Sequence, residues 1–270
     1  MLSTLLRDGR TIAFREYGTG FPVIFMHGNL NSRNFAPAWL KSSDQADTAG
    51  ARVIAVDRPG YGGSTYHKDR QYKDFAHDID ELATYLQLDA YAVLGYSSGG
   101  PHAMVCAAFN LQNKVKCCGL LSSDGPYFIL NEVESVYGSS NVNLEYSVTL
   151  TRKNVDSLRE AYTGMKDEQR KELALSDLNT AVEQGLEGAA SDGVLEAAES
   201  WGFDIRDIKI PTLLWHGNDD KDVSVNHGQY IADNISSDYI TSNFIDGENH
   251  SMIRRRWGEA LTDIVSLANK

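Results

Sequence analysis

The sequence predicts an α/β fold: a mostly parallel, eight-stranded sheet flanked by helices, with a helical insertion after the sixth strand. Three observations carry this. Compact apolar runs of strand length alternate with longer stretches at helical spacing, and the runs end in glycine-containing or polar loops. Between residues 127 and 200 the alternation stops, and helical patterning continues without a buried strand. That break divides the chain into a core of residues 1–126 and 201–270 and a cap of residues 127–200.

Residues 1–18 read as two short strands around Asp8-Gly9, because Asp-Gly between alternating segments is a strong hairpin signal. Phe21 to Met26 is a buried-strand run that ends in His27-Gly28-Asn29-Leu30. A helix is expected from about Asn34 to Ser43, and then a second buried strand from Ala51 to Val56. Two apolar strands joined through a helix imply a parallel crossover. Asp69 to Leu88 places Tyr72, Phe75, Ile79, Leu82, Ala83 and Leu86 on one helical stripe, which is core.

Tyr91 to Gly95 is a third buried run, followed by a helix from Pro101 to Leu111 and a strand from Val115 to Leu121. Inside the insertion, helices are expected from Val155 to Tyr162, Gln169 to Leu175, Ser176 to Leu186 and Val194 to Ala198, with Ser176-Asp177 as a helix start. The alternation resumes with a strand from Thr212 to Trp215, a helix from Asn226 to Ile235, a strand near Tyr239 to Ile245 and a closing helix from Met252 to Ala268. Arg254 to Arg256 on that helix read as a solvated face.

A net charge of -12 argues against nucleic acid or an anionic membrane as partner, since phosphates would be repelled. The insertion holds 14 acids and 6 bases and so carries most of that charge. Cys117 and Cys118 are neighbours on a strand and point to opposite faces, so with Cys106 they read as reduced, buried thiols. The N-terminus reaches Arg7-Asp8 before an apolar run of signal length builds up, and no 18-residue apolar stretch occurs. A soluble cytoplasmic protein with a small-molecule partner and no membrane span is expected; the sequence does not read out an oligomeric state.

Gly95-Tyr96-Ser97-Ser98-Gly99 joins a buried strand to a helix, the context of a nucleophile elbow. Ligands of open α/β sheets bind beyond the carboxyl ends of the strands. Asn29, Ser97, Asp220 and His250 all follow strand ends and would share that edge. A serine hydroxyl needs a base to take its proton, and the base needs a carboxylate to orient it. His250, in a Gly-x-x-His turn after the last strand, is the candidate base. His27 and His216 are expected to bond loop backbone, His102 to line the pocket, and His67, His77 and His227 to lie on the surface. Asp220 is the candidate acid, with Asp219, Asp222 and Asp124 also available. Asn218, Asp220 and Asp222 alternate as in a calcium loop, but its glycine and distal glutamate are missing, so neither a metal nor a cofactor is expected. The Ser98 amide at the helix start and the Asn29 amide are the candidate oxyanion donors.

The chain resembles the α/β-hydrolase fold superfamily. The resemblance rests on His27-Gly28, Asp57-Arg58-Pro59-Gly60-Tyr61-Gly62-Gly63-Ser64, the Ser97 pentapeptide with Gly100, His216-Gly217-Asn218-Asp219-Asp220 with Val223, and Gly247-Glu248-Asn249-His250. It implies a serine hydrolase acting on an ester, thioester, lactone or amide, with residues 127–200 where relatives carry a lid. Serine at the elbow weighs against epoxide hydrolase and haloalkane dehalogenase chemistry, which in similar proteins uses aspartate. The resemblance includes proline iminopeptidases, carbon–carbon bond hydrolases and small esterases without choosing among them. A hydroxynitrile lyase, a cofactor-independent oxidative enzyme and a ligand receptor on the same fold are the rival readings. Relatives often have proline after the valine of the acid loop; here it is Ser224.

Overall fold

Alternate residues of a strand face opposite sides of its sheet, and the central strands here are apolar on both. The structure, a computed structural model, describes residues 2–36 and 42–270. β1 (Leu2–Leu5) and β2 (Thr11–Tyr17) form the N-terminal hairpin, with Leu2 opposite Phe14 and Leu5 opposite Thr11. β2 pairs antiparallel with β4 (Ala51–Val56). β3 (Phe21–Met26), β4, β5 (Tyr91–Tyr96), β6 (Val115–Leu121), β7 (Thr212–Gly217) and β8 (Ile240–Ile245) run parallel, in the sheet order β1-β2-β4-β3-β5-β6-β7-β8.

In chain order the helices of the described residues are α1 (Ser42–Ala49), α2 (Tyr72–Tyr85), α3 (Gly99–Phe109), α4 (Val133–Tyr137), α5 (Leu144–Thr163), α6 (Glu168–Ala181), α7 (Glu187–Ala197), α8 (Val225–Asn234) and α9 (Ile253–Ala268). Ile24, Ile54, Val93, Cys118 and Leu120 face α2, α3 and α8 on one side. Val23, Phe25, Val53, Leu94, Cys117 and Leu121 face α1 and α9 on the other. The adjacent cysteines therefore do point to opposite faces, and Cys106, Cys117 and Cys118 are free and buried.

The strands fall where their apolar runs place them, and the boundaries of the helices move. Residues 37–41 of the helix expected from Asn34 to Ser43 lie outside the described residues, and the helix before β4 is α1. Within the insertion, α5 begins at Leu144, capped by the Asn143 side chain accepting from the Tyr146 amide at 3.0 Å, eleven residues before the expected start at Val155. Ser176-Asp177 does not begin a helix. α6 runs through it and is capped by Asp167, because the Asp177 carboxylate is spent on the loop after β3. It accepts from the Ser32 amide at 3.1 Å, the Ser32 hydroxyl at 2.6 Å and Asn31 Nδ2 at 3.1 Å. No helix is long and apolar enough to cross a membrane among the described residues.

The insertion sits on the carboxyl-end loops. Val155, Leu178, Ala181 and Ala189 from its helices close a small core with Leu30 and Tyr61. On the face of the sheet covered by α1 and α9, Trp257 fills the core, its ring edge-on to Phe25 with centroids 5.1 Å apart. Truncating so large a buried ring leaves a cavity that the sheet cannot close. Trp257→Ala should lower unfolding stability by about 3–5 kcal/mol, read from urea melts.

Candidate active site

Ser97 sits at the end of β5 with φ +53°, a left-handed conformation that costs a non-glycine residue energy and is held by what surrounds it. Its amide donates to the Leu121 carbonyl at 3.1 Å, and its own carbonyl accepts from the Gly100 and Asp124 amides at 2.8 and 3.3 Å. Glycine is required on both sides of it. A Cβ on Gly95 would strike the Gly99 carbonyl, and one on Gly99 would strike the Met26 carbonyl of β3. The second collision is with the neighbouring strand and not with the turn itself. Gly28 packs so closely that a Cβ there would lie 3.2 Å from Ser97 Cβ.

The structure brings Ser97, His250 and Asp220 together. His250 Nε2 lies 3.1 Å from Ser97 Oγ, and His250 Nδ1 lies 2.9 Å from Asp220 Oδ2. Asp220 Oδ1 accepts from the Asp222 and Val223 amides at 3.0 and 2.9 Å, which fixes the carboxylate in its loop. With Asp220 ionised, His250 Nδ1 carries the proton and Nε2 accepts from the serine. The loops after β7 and β8 are tied directly, the Asp219 amide donating to the Glu248 carbonyl at 2.9 Å. The Tyr96 ring lies tilted at 35° beside the imidazole, with centroids 5.2 Å apart, and its hydroxyl donates to the His250 carbonyl at 3.3 Å, a contact the sequence does not reveal.

Among the described residues the hydrogen bond at His250 Nδ1 goes to Asp220 and not to a rival acid. Asp124 accepts from the Tyr127 hydroxyl at 2.9 Å. Asp220, Asp222 and His250 have potential ligand atoms within 4.8 Å of one another. A cation there would compete with the bonds Asp220 already makes to His250 and to two amides. Ser224 takes the place of the usual proline as the cap of α8, accepting from the Asn226 amide at 3.3 Å. Among the described residues, neither the Asn29 nor the Ser98 amide is spent on a protein acceptor.

Two histidines differ from expectation. His102 does not line a pocket: it is fully buried behind the elbow, 2.9 Å from the Ser98 carbonyl, and burial together with the Arg58 charge holds it down to about 3, hence neutral. His227 is buried and not on the surface, its Nδ1 accepting from the Gly125 amide at 2.7 Å and its Nε2 facing Glu132 at 2.9 Å. His27 and His216 bond backbone as expected, at the Gly28 and Val223 carbonyls. The Arg254 to Arg256 run is more than a solvated face, since Arg255 and Arg256 both pair with Glu248 in the turn before His250.

The sequence profile described as the alpha/beta hydrolase fold matches residues 22–253. The chain belongs to the α/β-hydrolase fold family. A non-heme chloroperoxidase of Kitasatospora aureofaciens is 28% identical over 234 residues, covering 81% of each chain. A bifunctional esterase/perhydrolase of Acinetobacter calcoaceticus is 26% identical over 232 residues, covering 80% of each. An esterase from Exiguobacterium antarcticum has the same fold, with a TM-score of 0.75 at 21% identity and 99% of each chain covered. This α/β hydrolase thus has both esterases and non-heme haloperoxidases among its relatives.

Burial pulls the His250 imidazole down, but the hydrogen bond and charge of Asp220 pull it up further and leave it above its ordinary value of 6.5. Removing that charge leaves burial dominant. In Asp220→Asn the His250 ring, followed by NMR through its Cε1 proton, should titrate below 6.5, against above 6.5 in the parent.

Proposed function

We propose that the protein is a serine hydrolase that cleaves an ester, thioester, lactone or amide of a small substrate through an acyl-enzyme on Ser97. The observation that carries this reading is the unbroken relay from Ser97 Oγ through the His250 ring to Asp220, spanning contacts of 3.1 and 2.9 Å. His250 takes the serine proton as Oγ attacks the carbonyl carbon. The Asn29 and Ser98 amides receive the developing oxyanion, and the leaving group departs with the proton from His250. Water then enters, His250 takes its proton, and the acid is released from Ser97. Residues 127–200 act as the cap over this edge, and their shape selects the substrate.

The names of the relatives favour a second fate for the same acyl-enzyme. If hydrogen peroxide attacks in place of water, the product is a peracid. A peracid with chloride and a proton then yields the carboxylic acid and hypochlorous acid, so a chloroperoxidase activity needs no redox cofactor. The two fates share Ser97, and the product formed from one acyl donor with and without peroxide separates them.

Fluorophosphonate labelling followed by peptide mapping should tag Ser97, and a tag on any other residue overturns the mechanism. Ser97→Ala should lower turnover of 4-nitrophenyl butyrate by about 10⁴-fold or more. The acid limb of kcat/KM should lie above pH 6.5 because His250 must be neutral to take the proton. A limb below that value would contradict the assigned base.

A further inference from the structure

We infer that Arg58 and Asp192 form a positioning pair that ties the seating of α7 to the direction of the Asn29 amide. The oxyanion role of that amide rests on the function proposed above; the coupling itself stands on the contacts. In one planar peptide unit the carbonyl and the N–H point in opposite directions. Whatever fixes the Gly28 carbonyl therefore aims the Asn29 N–H.

Arg58 Nη2 donates to the Gly28 carbonyl at 3.2 Å and to Ser98 Oγ at 3.0 Å, while Nη1 donates to the Ser98 carbonyl at 2.8 Å. A single guanidinium thus grips both loops that supply the candidate oxyanion amides. That guanidinium is fully buried, where an unpaired charge is strongly destabilising. Its counter-ion comes from the insertion: Asp192 Oδ2 on α7 stands 3.0 Å from Arg58 Nη2. Asp192 also pairs with Arg70 and accepts from the Tyr61 hydroxyl at 2.8 Å, a hydroxyl that lies 3.1 Å from Asn29 Oδ1. Burial would raise the Asp192 carboxyl, but the Arg58 and Arg70 charges prevail and hold it at about 2, so the pair is ionised.

α7 is seated by close packing as well as by charge. The backbones of Gly60 and Gly188 touch where a Cβ on either would collide. Tyr66 and Ser191 share a hydrogen bond at 3.1 Å, and Gln184 donates to the Ser64 carbonyl at 2.8 Å. The Gly28 carbonyl also accepts from His27 Nδ1 at 2.8 Å and from the Asn31 amide at 3.3 Å, so Arg58 is the charged one of its three donors. If α7 moves, Arg58 loses its counter-ion and its hold on that carbonyl, and the Gly28–Asn29 peptide turns toward the direction the two neutral donors set. Arg58 and Asp192 act through that peptide and are positioning residues.

Gly-Asn occurs in the sequence at 28–29 and at 217–218, so ¹³C-carbonyl glycine with ¹⁵N-asparagine labelling isolates two amides. The Asn218 amide donates to the Ile245 carbonyl and serves as an internal control. In Asp192→Asn, which keeps the shape and removes the charge, the Asn29 amide resonance should shift while that of Asn218 stays. On 4-nitrophenyl butyrate kcat should fall by about 10- to 100-fold, a fraction of the loss on deleting an oxyanion donor, with KM within about threefold. A trifluoromethyl ketone inhibitor should weaken by the same factor as kcat/KM, and the acid limb should not move. A folded Asp192→Asn with an unmoved Asn29 amide overturns the proposal. So does a kcat loss with no change in inhibitor affinity. Should that variant fail to fold, Arg58→Lys keeps the charge but cannot reach both carbonyls. It should move the same amide, and an unmoved amide there overturns the proposal equally. If Ser97 takes up no fluorophosphonate, the proposed function falls while the amide comparison can still be read.

Discussion

The structure depends on how closely three backbones approach at the end of the sheet. β5, the start of α3 and the end of β3 meet where only hydrogen fits at Gly95 and Gly99. That approach holds Ser97 in its left-handed conformation and presses the Gly28 loop against it. A residue at φ +53° persists only when its surroundings over-determine it. Here the bonds to Leu121, Gly100 and Asp124 do so, drawing on β6, on α3 and on the loop after β6. The side chain is thereby aimed beyond the sheet, where the loops after β7 and β8 deliver Asp220 and His250.

Behind that approach lies a polar layer beneath the insertion. Arg58, Arg70, His102, Asp192 and Tyr61 are all buried, between the core and α7. Burying two arginines and an aspartate is unfavourable unless each charge is met. Two of them come from the core loop and one from the insertion, so the insertion and core are not separable units. Shifting α7 while the layer stays closed would strip two buried cations of the carboxylate they share, which is strongly unfavourable. The layer therefore fixes where α7 sits more sharply than the small apolar core around Leu30, Tyr61 and Leu178 could.

The sheet was legible because each central strand is a short apolar run buried on both faces, and such runs have one use in an α/β chain. The elbow, His250 and Asp220 were legible because each follows a strand end with a glycine nearby, so local punctuation marks them. Asp177 and Asp192 were not. Each lies on a helix among other acids, and nothing local separates a carboxylate that faces solvent from one that pairs across the insertion. Ser176-Asp177 shows the cost of local reading: a residue type suited to starting a helix sits mid-helix because its carboxylate bonds Ser32, 145 residues away in sequence. His227 misled for the same reason, since its partners, Gly125 and Glu132, lie about 100 residues earlier.

The same distinction bears on what charge the proposed site meets. Fourteen acids in residues 127–200 suggest an anionic wall suited to a cationic substrate, yet three of them, Asp177, Asp192 and Glu196, are buried. Asp192 is ionised but matched by Arg58 and Arg70 from the core. Burial pushes Asp177 up to about 7 in spite of its three donors, and pushes Glu196 well above the carboxylate range beside the Tyr137 hydroxyl. Asp192 is thus matched by cations, Asp177 and Glu196 hold their protons more tightly than free carboxyls do, and the exposed acids of the insertion meet water, where salt screens them. Carboxyls already committed in this way offer an ammonium group little to replace its hydration, so the number of acids in the insertion does not by itself point to a cationic substrate.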